Sequence, residues 1–279
     1  MTMLHTEPPS ALGELRLNIA DADIAINGPA SVLAIVDRML AHVPRTWSNA
    51  EPPLKINVGF DSNLWSVYGT APSSRKSLGR LSALPRVAGA VVSSLLAELA
   101  HARHFNVWRA AVAERDGRAL ALIGDDWEPC VTLIAHLHTR GWRILGGDYA
   151  LVAGDTYVVK AFKKVLHANS SCIGSFPVWY RRAIEASPWY STPQVVAFYA
   201  IDPALVEGAP SWAEQAPLHA VVRVDGHAAE HPSLEAIDDF SIARGLRQSD
   251  LRNAGIEVAA LVLGDYIETC DLLERWFAT

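Results

Sequence analysis

The stretch "NVWRAAVAERDGRALALIG", residues 106–124, constrains the fold more than any other part of the chain. It consists of two apolar runs joined by Asp116 and Gly117, a pair that fits a two-residue turn with both central residues at positive φ and so predicts a tight hairpin. A short polar segment follows Gly124. An apolar helical pattern then begins near Cys130 and runs through "CVTLIAHLHTRG" to a stop at Gly141. Next, "WRILGGDYALVAGDTYVVKAF" reads as a strand, a turn at Gly154 and Asp155, and a second strand. Hairpin, loop, helix, strand is the order of a mononucleotide-binding unit. It puts the loop at the C-terminal end of a strand, where a helix N-terminus meets anions.

The flanks fit around this unit. Residues 1–14, with Pro8 and Pro9, read as a flexible leader. From Leu15 an alternating pattern predicts a strand or hairpin, and "SVLAIVDRMLAHV" predicts a helix with Ser31 as N-cap. "NAEPPLKINVGF" and "NLWSVYG" read as two strands around a turn at Asp61, Ser62 and Asn63; "LPRVAGAVVSSLLAELAHARH" reads as a helix with Pro85 in its first turn. Beyond residue 175 the chain becomes aromatic and proline-rich. The strands "QVVAFYAID" and "LHAVVRVDG" follow, then a tail of short helices including "DLLERWFAT". The layout is therefore a leader at 1–14, a small α+β region at 15–105 and an α/β core at 106–279.

Half of the 279 residues are apolar, enough to bury a full core. A net charge of −6, with no basic tract longer than Lys163–Lys164, argues against a nucleic-acid partner. The apolar stretch Ala88–Ala100 is interrupted by Ser93, Ser94 and Glu98 and falls short of the roughly 20 residues that span a bilayer, so no membrane contact is expected. The N-terminus lacks the basic-then-apolar pattern of a secretory signal. Cys130, Cys172 and Cys270 lie far apart with no C-x-x-C pair, which fits a reducing, cytoplasmic setting. Nine tryptophans read as core and interface packing and suggest a homo- or hetero-oligomer.

With "WRAAVAERDGRALALIG" and "TRGWRILGGDYALVAGDTYVV" in place, residues 106–167 resemble the core of the HPr kinase/phosphorylase family, and more closely its HPr-kinase-related members. The resemblance implies an HPr-kinase-like (PEP-carboxykinase-like) P-loop core with a mixed sheet. Such relatives carry G-x-x-G-x-G-K-[ST] at the loop, a helix ending in R-G-[HW], and then L-x-D-D. Their chemistry needs a lysine on the phosphates, a hydroxyl on magnesium and a carboxylate base. In register, Gly124 matches the first glycine, Asp125, Asp126 and Glu128 fall between the conserved positions, and Trp127 and Pro129 replace the next two glycines. Cys130 replaces the lysine and Val131 the hydroxyl ligand, with Thr132 one residue away. Gly147 stands at the base position, and only Asp148 of the paired aspartates remains, where a carboxylate would meet the metal.

Each change opposes a bound nucleotide. Trp127 and Pro129 restrict the backbone that a phosphate nest needs, and Pro129 removes a donor. The three acids add repulsion of about 4 kcal/mol per close charge pair at an effective dielectric near 20. No cofactor is therefore expected; Mg²⁺ with nucleotide is the alternative. By resemblance, the chain reads as a catalytically degenerate accessory subunit that binds a peptide or protein partner, in a pathway making a ribosomal peptide product. A second reading is an atypical enzyme or residual serine kinase in which Asp125, Asp126, Glu128 and Asp148 offer oxygen ligands to a divalent metal.

Other candidates are weaker. Lys163, Lys164, Arg181 and Arg182 make the local basic excess that a partner could meet. Cys130 at a helix start could be an activated thiolate, although its acidic neighbours oppose that. His101 and His104 are spaced to share a helix face but have no third ligand, His136 and His138 point to different faces, and both pairs read as surface or capping polarity. His219, His227 and His231 read as surface polarity, and Ser170, Ser171 and Cys172 follow His167 in a loop with no nucleophile elbow.

Overall fold

The computed structural model describes residues 11–47, 50–62, 64–79, 84–184, 190–191, 197–210, 212–237, 241–243 and 246–279. It is a mixed α/β chain of two compact units, residues 1–107 and 108–279.

In the first unit, β1 (Leu12–Ile19) and β2 (Ala22–Pro29) form a hairpin across Ala20 (φ 50°) and Asp21 (φ 65°). The first strand begins within the segment read as a leader. β2 runs without a break into α1 (Ala30–Met39), so Pro29 holds the cap position with no side-chain cap bond, and Ser31 falls inside the first turn instead of capping it. β3 (Leu54–Asp61) pairs parallel with β2; β4 (Leu64–Tyr68) and β5 (Lys76–Gly79) complete a five-stranded sheet in sequence order. α2 (Leu84–Arg103) buries Val87, Val91, Val92, Leu95 and Leu99 at helical spacing. It also buries Glu98, which accepts from the Thr70 hydroxyl at 2.6 Å and the Ala71 amide at 2.7 Å. The helix stops at Arg103, and His104 takes φ 55°, so His101 and His104 do not share a helical face. β6 (Phe105–Trp108) follows.

In the second unit, β7 (Ala111–Arg115) and β8 (Arg118–Ile123) form the expected hairpin, with Asp116 at φ 53° and Gly117 at φ 78°. α3 (Trp127–Thr139) starts three residues before the apolar pattern suggests and ends against Gly141 at φ 95°. β9 (Arg143–Gly146) pairs antiparallel with β7, so β8 and β9 run the same way with β7 between them. β10 (Ala150–Ala153) and β11 (Val158–Lys160) make the second expected hairpin. β12 (Leu166–Asn169), β13 (Tyr190–Ser191) and β14 (Ala197–Ile201) form a small sheet, and α4 (Val178–Ile184) packs by β14. The first residues of "QVVAFYAID" lie outside the described residues.

β15 (Gln215–Ala228) is the long central strand, parallel to β8 on one side and to β19 (Glu257–Leu263) on the other. β16 (Ser233–Ala236) pairs with β19; β17 (Ser241–Ala243) and β18 (Leu246–Arg247) pair with each other; α5 (Gln248–Asn253) and α6 (Tyr266–Phe277) follow. The tail is thus not a run of helices: "VAALVL" is a strand buried on both faces, and such strands show no alternation to read. Alternate residues of β7 and β8 feed two cores. Ala111, Ala113, Leu120 and Leu122 face α3 and α6; Val112, Ala119, Ala121 and Ile123 face the other layer.

Candidate functional site

The loop at the end of β8 is short because β15 closes over it. A Cβ on Gly124 would lie 2.8 Å from the Val224 carbonyl oxygen and 3.1 Å from that of Asp126, so only glycine fits this crossing. The residues in register with a phosphate nest, Trp127, Glu128 and Pro129, are instead the first turn of α3. There a proline is tolerated, because its missing N–H would have no intrahelical partner. Asp126 takes the N-cap position, its Oδ1 accepting from the Glu128 amide at 3.1 Å. The chain thus places a carboxylate of its own on the helix end that would otherwise receive an anion.

Below the loop, Arg109, Gly124, Trp127, Cys130, Gly147 and Asp148 line a crevice of about 10 Å³. One water needs about 10–15 Å³, and ligand pockets commonly span about 300–1,000 Å³. The Cys130 thiol is pushed up to about 12 by burial and then by the Asp126 carboxylate, against a smaller opposing pull from Arg109. It stays protonated at neutral pH and is no activated thiolate. Val131 and Thr132 are buried in α3. Burial, then Asp126, raises the Glu128 carboxyl, while the Ser171 hydroxyl donates to it at 3.4 Å and opposes the shift. Asp125 and Asp126 are exposed.

Asp148 is not free to bind a metal as it stands. Lys164 Nζ donates to its Oδ2 at 2.7 Å, with the lysine side chain 3% exposed and that of Asp148 19%. Lys164 Nζ also lies 3.4 Å from His167 Nδ1, and burial together with the lysine charge holds His167 well below the usual histidine range. At Gly147, an added Cβ would fall 2.3 Å from Leu166 Cδ2, so a side chain at the base position would have to push the leucine aside. Among the described residues, no group of three or more His, Cys, Asp or Glu is arranged to hold a metal ion.

The four basic residues do not form one patch. Lys164 is buried against Asp148, which removes it from any surface, and Lys163 pairs with Glu214. Arg182 lies over the Trp179 ring at 4.9 Å, and Arg181 presents a buried Nε. The histidines are mostly structural. His138 is buried, its Nε2 2.8 Å from the Pro210 carbonyl and its Nδ1 2.6 Å from the Tyr180 hydroxyl, so it is not surface polarity. His136 reaches the Ser175 carbonyl at 2.8 Å and stacks on Tyr266. His219 meets Arg118, and His231 meets Glu268 at 3.4 Å; the His227 side chain lies outside the described residues. Ser170 and Ser171 are exposed, and Cys172 is raised to about 11, chiefly by burial.

Sequence reasoning missed Arg109 at the crevice and the inward turn of Lys164. The second has a signal: Phe162, Lys164, Leu166 and Ala168 are buried at every second position, the period of an extended chain. No family model matches this chain, and no curated protein does. Among solved structures it is similar to the HPr(Ser) kinase/phosphatase from Coxiella burnetii, at 14% identity and a TM-score of 0.32, over 61% of this chain and 97% of that one.

Proposed function

We propose that this chain is a catalytically silent protein on an HPr-kinase-like scaffold, acting as an accessory subunit that binds a peptide or protein partner. One observation carries the reading: the position where a phosphate chain and its metal would sit is taken by the chain's own groups. Asp126 caps the helix, Lys164 neutralises Asp148, and the remaining space is about 10 Å³. To enter, a nucleotide would have to displace Trp127, break a buried ion pair and face Asp125 and Asp126 with no loop lysine to offset them. A role beside enzymes that make a ribosomal peptide product rests on the sequence resemblance alone and belongs to the same proposal.

Calorimetric titration of the full chain with ATP and Mg²⁺ tests the reading. The expected result is no binding heat at micromolar to millimolar ATP and no ADP formed. Micromolar binding with turnover to ADP would overturn it.

A further inference from the structure

We propose that the outer face of α4, formed by Val178, Trp179 and Arg182 with Arg181 beside them, docks an acidic peptide segment carrying a large apolar side chain. This rests on the partner-binding reading above and names the partner's chemistry.

The two faces of α4 differ sharply. Phe176, just before the helix, and Tyr180 are buried, and the Tyr180 hydroxyl donates to His138 Nδ1 at 2.6 Å. His138 Nε2 in turn donates to the Pro210 carbonyl at 2.8 Å. The helix is therefore held in one orientation before any partner arrives, which lowers the ordering cost of binding.

On the other face Val178 is 49% exposed and Trp179 50% exposed. The Arg182 guanidinium lies over the indole at 4.9 Å, which leaves the N–H edges of that fork open to a carboxylate. Arg181 is half-buried beside this face, its Nε enclosed with no hydrogen-bond partner among the described residues, and its charge adds to that of Arg182. No acid occurs in the helix sequence "VWYRRAI".

Charge decides the occupant. The chain carries a net −6, so a face of two arginines beside an exposed tryptophan is a local exception that would attract an acidic segment and repel a basic one. Tryptophan and arginine are also the residue types that dominate binding energy at interfaces. An alternating acidic and aliphatic peptide satisfies both: carboxylates on the arginines, an apolar side chain on Val178 and Trp179.

Fluorescence anisotropy with the full chain tests this, using a fluorescein-labelled peptide of alternating glutamate and leucine as probe. A lysine–leucine peptide and a labelled oligothymidylate serve as comparisons. The expected result is saturable binding of the glutamate–leucine probe that weakens with added salt. Trp179→Ala and Arg182→Glu should each weaken it by about tenfold or more. Arg86→Glu, the same charge change at an exposed site in the other unit, should leave it unchanged. Circular dichroism and the unfolding midpoint establish that the variants fold, and Arg182→Lys, which keeps the charge but loses the planar fork, should fall between wild type and Arg182→Glu. The proposal is overturned if the wild type does not bind the acidic probe, if binding is indifferent to both α4 substitutions, or if oligothymidylate is preferred. A silent ATP titration alongside absent peptide binding would sink this surface and leave the silent-enzyme reading standing; ATP turnover alongside salt-sensitive binding of the acidic probe would do the reverse.

Discussion

Replacing Lys164 by methionine would strand the mostly buried Asp148 carboxylate without its counter-ion, and breaking a buried pair in this way costs about 3–5 kcal/mol. Urea denaturation should register that loss, and the double substitution Asp148→Asn, Lys164→Met should recover part of it, because the unpaired charge is then gone. If the single substitution proved neutral, the ammonium would not be what holds Asp148. Thiol chemistry gives a second residue-scale check. With Cys130 and Cys270 pushed up to about 12 and Cys172 to about 11, native protein at pH 8 should react slowly with Ellman's reagent, and all three thiols should react quickly in urea. A fast stoichiometric reaction of the native chain would contradict the burial of these groups. Much of this site was legible only as loss. The sequence names the missing lysine and base, but the replacement ion pair requires knowing that Lys164 shares the inward register of Phe162 and Leu166. Either lysine of the pair can satisfy the same composition.

At the level of elements, α3 and α4 are tied through a neutral imidazole, and this makes their union sensitive to acid. Burial, the largest cause, lowers His138, and also His136 and His167. An unfolded histidine titrates near 6.5, so below about that pH the unfolded chain binds protons that the folded chain refuses. Stability present above pH 6.5 is therefore lost as the pH falls toward the depressed folded values. The expected outcome is an unfolding free energy that drops between pH 7.5 and 5, with a shallower slope in His138→Gln. Glu114, held low by Arg143 and the Gly117 amide despite its burial, adds a further loss nearer pH 4, whereas Glu128, raised by burial, works in the opposite sense. A slope unchanged in the variant would exclude His138 as a contributor. Element boundaries followed the strength of the local signal. Asp116–Gly117 and Gly141 mark their turn and stop because each takes a positive φ that few other residues accept. Ser31 fails as a cap because β2 continues to Pro29 and leaves no loop before the helix. The α3 start was misplaced for the opposite reason: its first turn is built from Trp127, Glu128 and Pro129, which carry no apolar period.

For the whole molecule, a thermal-shift series should separate a silent scaffold from a working one. A ligand at a hundred times its Kd stabilises the folded state by about 2.7 kcal/mol. ATP with Mg²⁺, Mn²⁺ or Ca²⁺ is expected to leave the melting temperature unmoved; a rise that grows with ATP concentration would show an open site. Among the described residues, no helix is long and apolar enough to cross a membrane. Sequence reading reached the mixed α/β class and the hairpin–loop–helix order, yet gave β8 no partner beyond its hairpin mate β7. Its parallel neighbour is β15, roughly a hundred residues later, and no local pattern encodes a pairing at that separation. That pairing also sets the order of events during synthesis. Until residues 215–228 leave the ribosome, β8 keeps β7 on one side and an open edge of "ALALI" on the other, and a bare apolar edge invites pairing between chains. The loop beneath Val224 can close only after that wait, so a chain cut short before β15 should aggregate rather than yield a smaller folded core.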